Sequence, residues 1–357
     1  MSPCTTSVLG IAGRRKVLHP DAVHDMQHLA WIVLDGQKGN NDNPAARLGA
    51  GIVLLSCVTP FLERPAVTFG HPQRLAAGCS HTAVIEADGR LVCFGSDEEG
   101  QSSVPADLGS VVEVSAGDAH TCAITELRYL VCFGSNEEGQ CDVPESLGCV
   151  RHVSAGSFHT CAVTVSGELV CFGRDDDRQC SVPPDLGAVV SVGAGSFHTC
   201  AIKESGDLVC FGRNDSGQCD VPTDLGHVVA VAAGEFHTCA LTRDGRVVCF
   251  GEDPDWAWVG PAGLPLVSSV SAGSVHTCAV QDDGELKCFG LNMHGQCAAP
   301  KTLGKVVTVA CGHYHTCVVD SEGQLVCFGL AQDGQCDVPQ GLRVSVDFQG
   351  VRGTSPR

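Results

Sequence analysis

The sequence predicts an all-β protein, a single seven-bladed β-propeller of 39-residue units with three to four antiparallel strands per blade. Three observations carry the prediction: an unbroken repeat, strand-like alternation inside the unit, and glycine or proline at its corners. His81, His120, His159, His198, His237, His276 and His315 stand 39 residues apart, each followed by Thr and preceded three positions earlier by Gly. A Cys-Phe-Gly triplet keeps the same register from Cys93 to Cys327, as does one proline from Pro105 to Pro339.

Residues 150–188 show how one unit is built. Val150–Val153 is a short strand that stops at the turn Ala155-Gly156. His159–Thr164 alternates with the period of two expected of a second strand, Val165-Ser166-Gly167 turns the chain, and Glu168–Phe172 returns as a third. Arg174–Val182 is a polar loop closed by Pro183, which cannot donate to a ladder and so suits a strand boundary. A ten-residue amphipathic helix finds no room. One small sheet cannot bury both faces alone, so the units must stack. Radial stacking hides most edges around a central channel, and equal spacing favours this closed ring over an open solenoid.

The succession A-G-x-x-H-T-C-A, G-x-L-V-C-F-G and N-x-x-G-Q resembles the repeat of the regulator of chromosome condensation family, over residues 72–346. The resemblance implies a seven-bladed propeller that binds a protein on one face. Members of that family include an exchange factor for a small GTPase, arrays within giant ubiquitin ligases and a bacterial β-lactamase inhibitor, and the short units are most similar to the compact inhibitor type. A fold shared by such different proteins does not dictate one reaction.

Charge narrows the partners. Residues 71–342 hold 35 acidic against 13 basic side chains, within a chain of net charge −19. Such a surface repels phosphate backbones, which argues against nucleic acid and for a protein partner, basic in character or a small GTPase. The longest mostly apolar run, Leu48–Val58, is too short to cross a bilayer as a helix, so no membrane is expected. The first residues lack the basic and apolar regions of a signal peptide, which favours a cytoplasmic protein, with a nuclear location next and secretion least favoured. The expected organisation is a non-repeat, partly disordered segment over 1–70, a monomeric propeller over 71–346 and a disordered tail over 347–357. Val344–Val346 or Val67–Phe69 is the candidate to complete a blade.

The repeated residues are read mainly as structure. The glycines supply positive φ or room for a neighbouring backbone. Symmetry sets the histidines in a ring, but too far apart to share an ion at Zn–N distances of about 2.0–2.1 Å, so no metal and no cofactor are expected. The 23 cysteines fall largely into three positions of the motif. Counting from the hairpin turn opposes Cys122 to Cys132, Cys161 to Cys171, Cys200 to Cys210, Cys239 to Cys249, Cys278 to Cys288 and Cys317 to Cys327. Each pair suits a cross-strand disulfide, or two buried reduced thiols; Cys93 persists opposite Ala83, which favours thiols. A third family, Cys141, Cys180, Cys219, Cys297 and Cys336, gives way to Ser102 and Trp258 in two units, so it reads as packing. No nucleophile–base–orienter set, phosphate loop or paired carboxylate stands outside the repeat, and the expectation is a protein that is not an enzyme. Binding residues are sought where the units disagree: Phe158, Phe197, Phe236 and Tyr314 before the repeated histidine, and Trp256 and Trp258 in the loop of unit five. Two further readings stay open, guanine-nucleotide exchange and a secreted, disulfide-stabilised inhibitor.

Overall fold

A computed structural model of the protein describes residues 73–251 and 266–346. Among these, 21 strands group into seven three-stranded antiparallel sheets, each made of strands consecutive in the chain. Blade three comprises an inner strand Val150–Ala155, a middle strand His159–Thr164 and an outer strand Leu169–Gly173. In six blades the pairing of inner and middle strands skips a residue, between Val150 and His152 in blade three. Such a bulge bends the strand and strengthens its right-handed twist, which suits a wedge-shaped blade. No helix occurs among the described residues, and so none is long and apolar enough to cross a membrane.

The hydrophobic core is divided among the interfaces between blades. Ile124, Leu130 and Cys122 of blade two meet Val150, Val153 and Ala162 of blade three in one cluster. Equivalent clusters join every other neighbouring pair. The ring closes the same way. Leu75 and Val84 of blade one share a cluster with Ala310, Cys317, Val319 and Leu325 of blade seven. Leu342 and Val344 enter that closing cluster too, and the Val344 N–H donates to the Gly323 carbonyl at 3.0 Å. Residues 344–346 therefore seal the closing blade by packing, without forming a strand. The segments 1–70 and 347–357, and the stretch Val67–Phe69, lie outside the described residues.

The turn glycines are present for space. A Cβ on Gly156 would stand 2.4 Å from the Gly195 carbonyl of the next blade and as close to the His159 ring. None of the seven equivalent glycines has positive φ, so of the two reasons the sequence allows, close approach is the one that applies here. Positive φ is instead the need of the Cys-Phe-Gly glycines, such as Gly173 at φ 107°.

Candidate functional site

The repeated His-Thr dipeptide stitches each blade to the next. His81 Nε2 lies 2.9 Å from Thr121 Oγ1, and the contact recurs in every interface until His315 Nε2 meets Thr82 Oγ1 at 3.0 Å. In six blades the threonine hydroxyl donates its one hydrogen to a loop carbonyl, that of Gln101 for Thr121 at 2.8 Å. The imidazole must therefore be the donor to the threonine oxygen, which places a proton on Nε2. Burial pushes His81 and His276 down to about 4, and His237 and His315 down to about 3. These histidines hold the ring together, each engaging the threonine of the next blade through Nε2.

The accepting glutamine belongs to the loop that follows each outer strand, so this loop reaches across to the next blade. The third cysteine family anchors the same loop. Cys141, Cys180, Cys219, Cys297 and Cys336 each donate to a backbone carbonyl six residues earlier, at 3.2–3.5 Å. Ser102 donates to the Ser96 carbonyl at 2.8 Å in the same place. These positions are hydrogen-bond donors, a role the packing expectation missed although the serine substitution was its visible sign. Of the two opposed families, Cys239–Cys249, Cys278–Cys288 and Cys317–Cys327 are disulfide-bonded, with Cα atoms 4.0–4.2 Å apart. Cys122/Cys132, Cys161/Cys171 and Cys200/Cys210 hold free sulfurs 3.0–3.2 Å apart in the same register.

Candidate binding residues gather on the face formed by the Gly-x-x-His turns. Phe158, Phe197 and Phe236 stand half-buried in three consecutive blades. Arg174 lies over the Phe158 ring at 5.7 Å and Arg213 over the Phe197 ring at 5.4 Å, each a cation–π pairing. Farther round, Tyr314 packs edge-on against His294 at 5.2 Å, beside the exposed Met293. Exposed acids stand in the stapling loops of the same face, at Asp97 to Glu99, Glu137-Glu138 and Asp175-Asp176. Trp256 and Trp258 lie outside the described residues.

At the centre of this face the residue after the turn glycine lines the channel in five of the seven blades. Asp118, Ser157, Ser196, Ser274 and His313 line a volume of about 70 Å³ together with the turn glycines. His313 Nε2 meets Asp118 Oδ1 at 2.7 Å. Burial opposes a charge on His313, but hydrogen bonds to Asp118 and Cys79 raise it to about 10, so the imidazole is cationic at neutral pH. Burial likewise opposes charge on Asp118, which the same histidine and Ser157 outweigh to hold its carboxyl below the usual range. Burial first, and Asp118 second, raise Glu235 nearby. Sequence reasoning missed this cluster, because its members belong to different units and only closure brings them together. The one metal-like grouping among the described residues is His276, Cys278 and Cys311, with ligand atoms within 4.8 Å of one another. There Cys278 spends its sulfur on Cys288, and His276 Nε2 is engaged by Thr316.

Comparison with known proteins bears on the fold. The model of the regulator of chromosome condensation (RCC1) repeat matches residues 111–140, 150–179, 189–218, 228–254, 267–296 and 306–335. No curated protein matches at the level of sequence. Among solved structures, the ectodomain of the Physcomitrella patens receptor kinase CR4 is 23% identical with a TM-score of 0.62, covering 72% of this chain and 73% of its own. The CRINKLY WD40 ectodomain of the Arabidopsis thaliana receptor kinase ACR4 is 24% identical with a TM-score of 0.61, covering 72% and 95%. Prp20p of Saccharomyces cerevisiae, whose binding to Gsp1p and histones is described with its structure, is 17% identical with a TM-score of 0.57, covering 73% and 83%. Six matched repeats on a seven-bladed ring of interlocked units place this chain in the regulator of chromosome condensation repeat family.

Proposed function

We propose that this propeller is a non-enzymatic interaction module that docks a basic protein partner on the face carrying the Gly-x-x-His turns. One observation carries the reading: Phe158, Phe197 and Phe236 form a half-exposed row across three blades, bordered by acidic loops. Aromatic side chains supply large contact area at low entropic cost, and surrounding charge steers and selects the partner. The combined variant Phe158→Ala, Phe197→Ala, Phe236→Ala tests it, compared with Val229→Ser plus Val307→Ser at the far ends of the inner strands. Proteins captured by the native chain are expected to be lost with the first variant and kept with the second. Retention by both would remove that face from consideration. Faster nucleotide release from a purified small GTPase would identify an exchange factor instead.

The three cross-strand disulfides among the described residues favour a second reading, a secreted binding protein stabilised by one bridge per blade, over the cytoplasmic expectation. Masses of the native protein after alkylation, with and without prior reduction, separate the two. Six bridged pairs support the oxidised reading and six alkylated pairs support the reducing one.

A further inference from the structure

We propose that His276, Cys278, Cys288 and Cys311 form a buried zinc-type metal site between blades six and seven once the Cys278–Cys288 bridge is reduced. The repeat departs from itself at this point. The residue four positions before the repeated histidine is alanine in six units, from Ala77 to Ala272, and cysteine in the seventh, Cys311. That position ends the inner strand Val306–Cys311, where it pairs with Thr316. It places a third sulfur beside the two that the middle and outer strands of blade six already supply. One ligand atom from each of His276, Cys278 and Cys311 lies within 4.8 Å of the other two, and all three residues are buried. Cys288 is held to Cys278 by the bridge, so opening that bridge adds its sulfur to the group.

The geometry of this interface suits a soft divalent ion. Thr316 Oγ1 stands 2.9 Å from His276 Nε2 and 3.9 Å from Cys278 Sγ, so Nε2 is the nitrogen that faces the sulfurs. The opposite nitrogen, Nδ1, is buried with no hydrogen-bond partner among the described residues, and can carry the ring proton when Nε2 binds an ion. In blades two to four the corresponding sulfurs stand unbonded 3.0–3.2 Å apart, the spacing that reduction gives Cys278 and Cys288. Tetrahedral zinc with Zn–S bonds of about 2.3 Å sets its sulfurs about 3.8 Å apart, so these separations change by about 1 Å or less. Three sulfurs and one imidazole are a soft donor set that favours zinc over magnesium or calcium. Val280, Val306, Val309 and Val318 share the core cluster of Cys278 and Cys311, which keeps water from the ligands. The sequence expectation of no ion rested on the distance between equivalent histidines; here one interface supplies every ligand.

Two molecules of a small thiol open the bridge, giving two cysteine thiols and one small disulfide. The ion then binds three sulfurs as their protons leave, while the ring proton shifts from Nε2 to Nδ1. A coordinating thiol is deprotonated outright, so the burial of these sulfurs does not prevent binding. The Thr316 hydroxyl keeps its bond to the Gln296 carbonyl at 2.8 Å throughout. Reoxidation restores the bridge and withholds Cys278, so bridge and ion exclude each other, and the site belongs to a reducing compartment. Blades two to four carry alanine where Cys311 stands and offer only two sulfurs each, so one ion per chain is expected. The site lies inside an interface and does not depend on the face proposed to dock a protein.

Co²⁺ is the probe, because its visible spectrum reports tetrahedral thiolate coordination directly. It is added to the full chain purified under a phosphine reductant, with the mass after alkylation verifying that the bridge is open. The intense bands of a tetrahedral cobalt thiolate are expected at one ion per chain, and Zn²⁺ should abolish them by displacement. Cys311→Ala gives this interface the alanine of the other six and should lower Co²⁺ affinity about 100-fold or more. Cys311→Ser, which keeps the size, provides the same comparison if the alanine variant does not fold. Where the bridge resists reduction in the folded chain, Cys288→Ser frees Cys278 and replaces the native chain, with Cys288→Ser plus Cys311→Ala as its counterpart. A chain with Cys278 free that shows no such bands, or a Cys311 variant that binds Co²⁺ as tightly as its parent, overturns the proposal.

Discussion

At the scale of the residue, the His-Thr dipeptide explains why the repeat tolerates so little change. Thr160 Oγ1 donates to Gln140 O at 2.8 Å and receives His120 Nε2 at 3.0 Å, so one hydroxyl joins a loop, a strand and the neighbouring blade. Thr160→Val keeps the shape and leaves a buried N–H and a buried carbonyl unpaired. At about 1–3 kcal/mol per orphaned group, a loss of about 2 kcal/mol or more is expected in the urea unfolding free energy. A change under about 0.5 kcal/mol would mean that the hydrogen-bond chain contributes little. The histidines add a pH dependence. With folded values near 3–4 for His81, His237, His276 and His315, the unfolded chain binds more protons than the folded one below about 6.5. Stability is then complete above that pH and falls as pH drops toward 4, by up to about 1.4 kcal/mol per pH unit for each histidine. His313 acts in the opposite sense: its raised value adds stability that is fully present below about 6.5 and is lost as pH climbs from there through about 10. Urea midpoints measured from pH 7.5 to pH 4.5 should fall steeply; a flat series would contradict the neutral buried ring.

At the scale of the element, the sequence reading and the structure agree on what local pattern controls. Alternation and glycine punctuation marked the middle strand at His159–Thr164, the bounds it has in the fold. The outer strand begins one residue later than its pattern suggests and ends at Gly173, because Glu168 belongs to the turn and its carbonyl accepts from Thr164. What could not be read locally is any contact that crosses to the next unit. His120 and Thr160 are 40 positions apart, and a repeat shows that both recur without showing that they touch. The stapling loop makes the point testable. Since Ser102 performs the task of the third-family cysteines, Cys180→Ser should be nearly neutral, within about 0.5 kcal/mol, while Cys180→Ala should cost about 1 kcal/mol. Equal losses in thermal unfolding for both would return these cysteines to a packing role.

At the scale of the whole molecule, closure turns seven similar interfaces into one cooperative object. In an open stack the end units lack one neighbour, so they fray first and each interface contributes separately. Here Leu75 and Leu342 bury themselves in the interface between blades seven and one as Ile124 does between blades two and three. The His315–Thr82 contact repeats there the bond found at every other interface. A cavity at the seam should therefore cost as much as a cavity elsewhere. Leu75→Ala and Ile124→Ala are each expected to lower stability by about 2–5 kcal/mol, with a single unfolding transition in both. Native-state hydrogen exchange gives the sharper view, since local openings report interfaces one at a time. Amides of the middle strands His81–Ile85 and His315–Asp320 should be protected as well as those of His198–Lys203, and Leu75→Ala should lower protection in all seven blades together. Early exchange confined to blades one and seven would show a ring that opens at its seam.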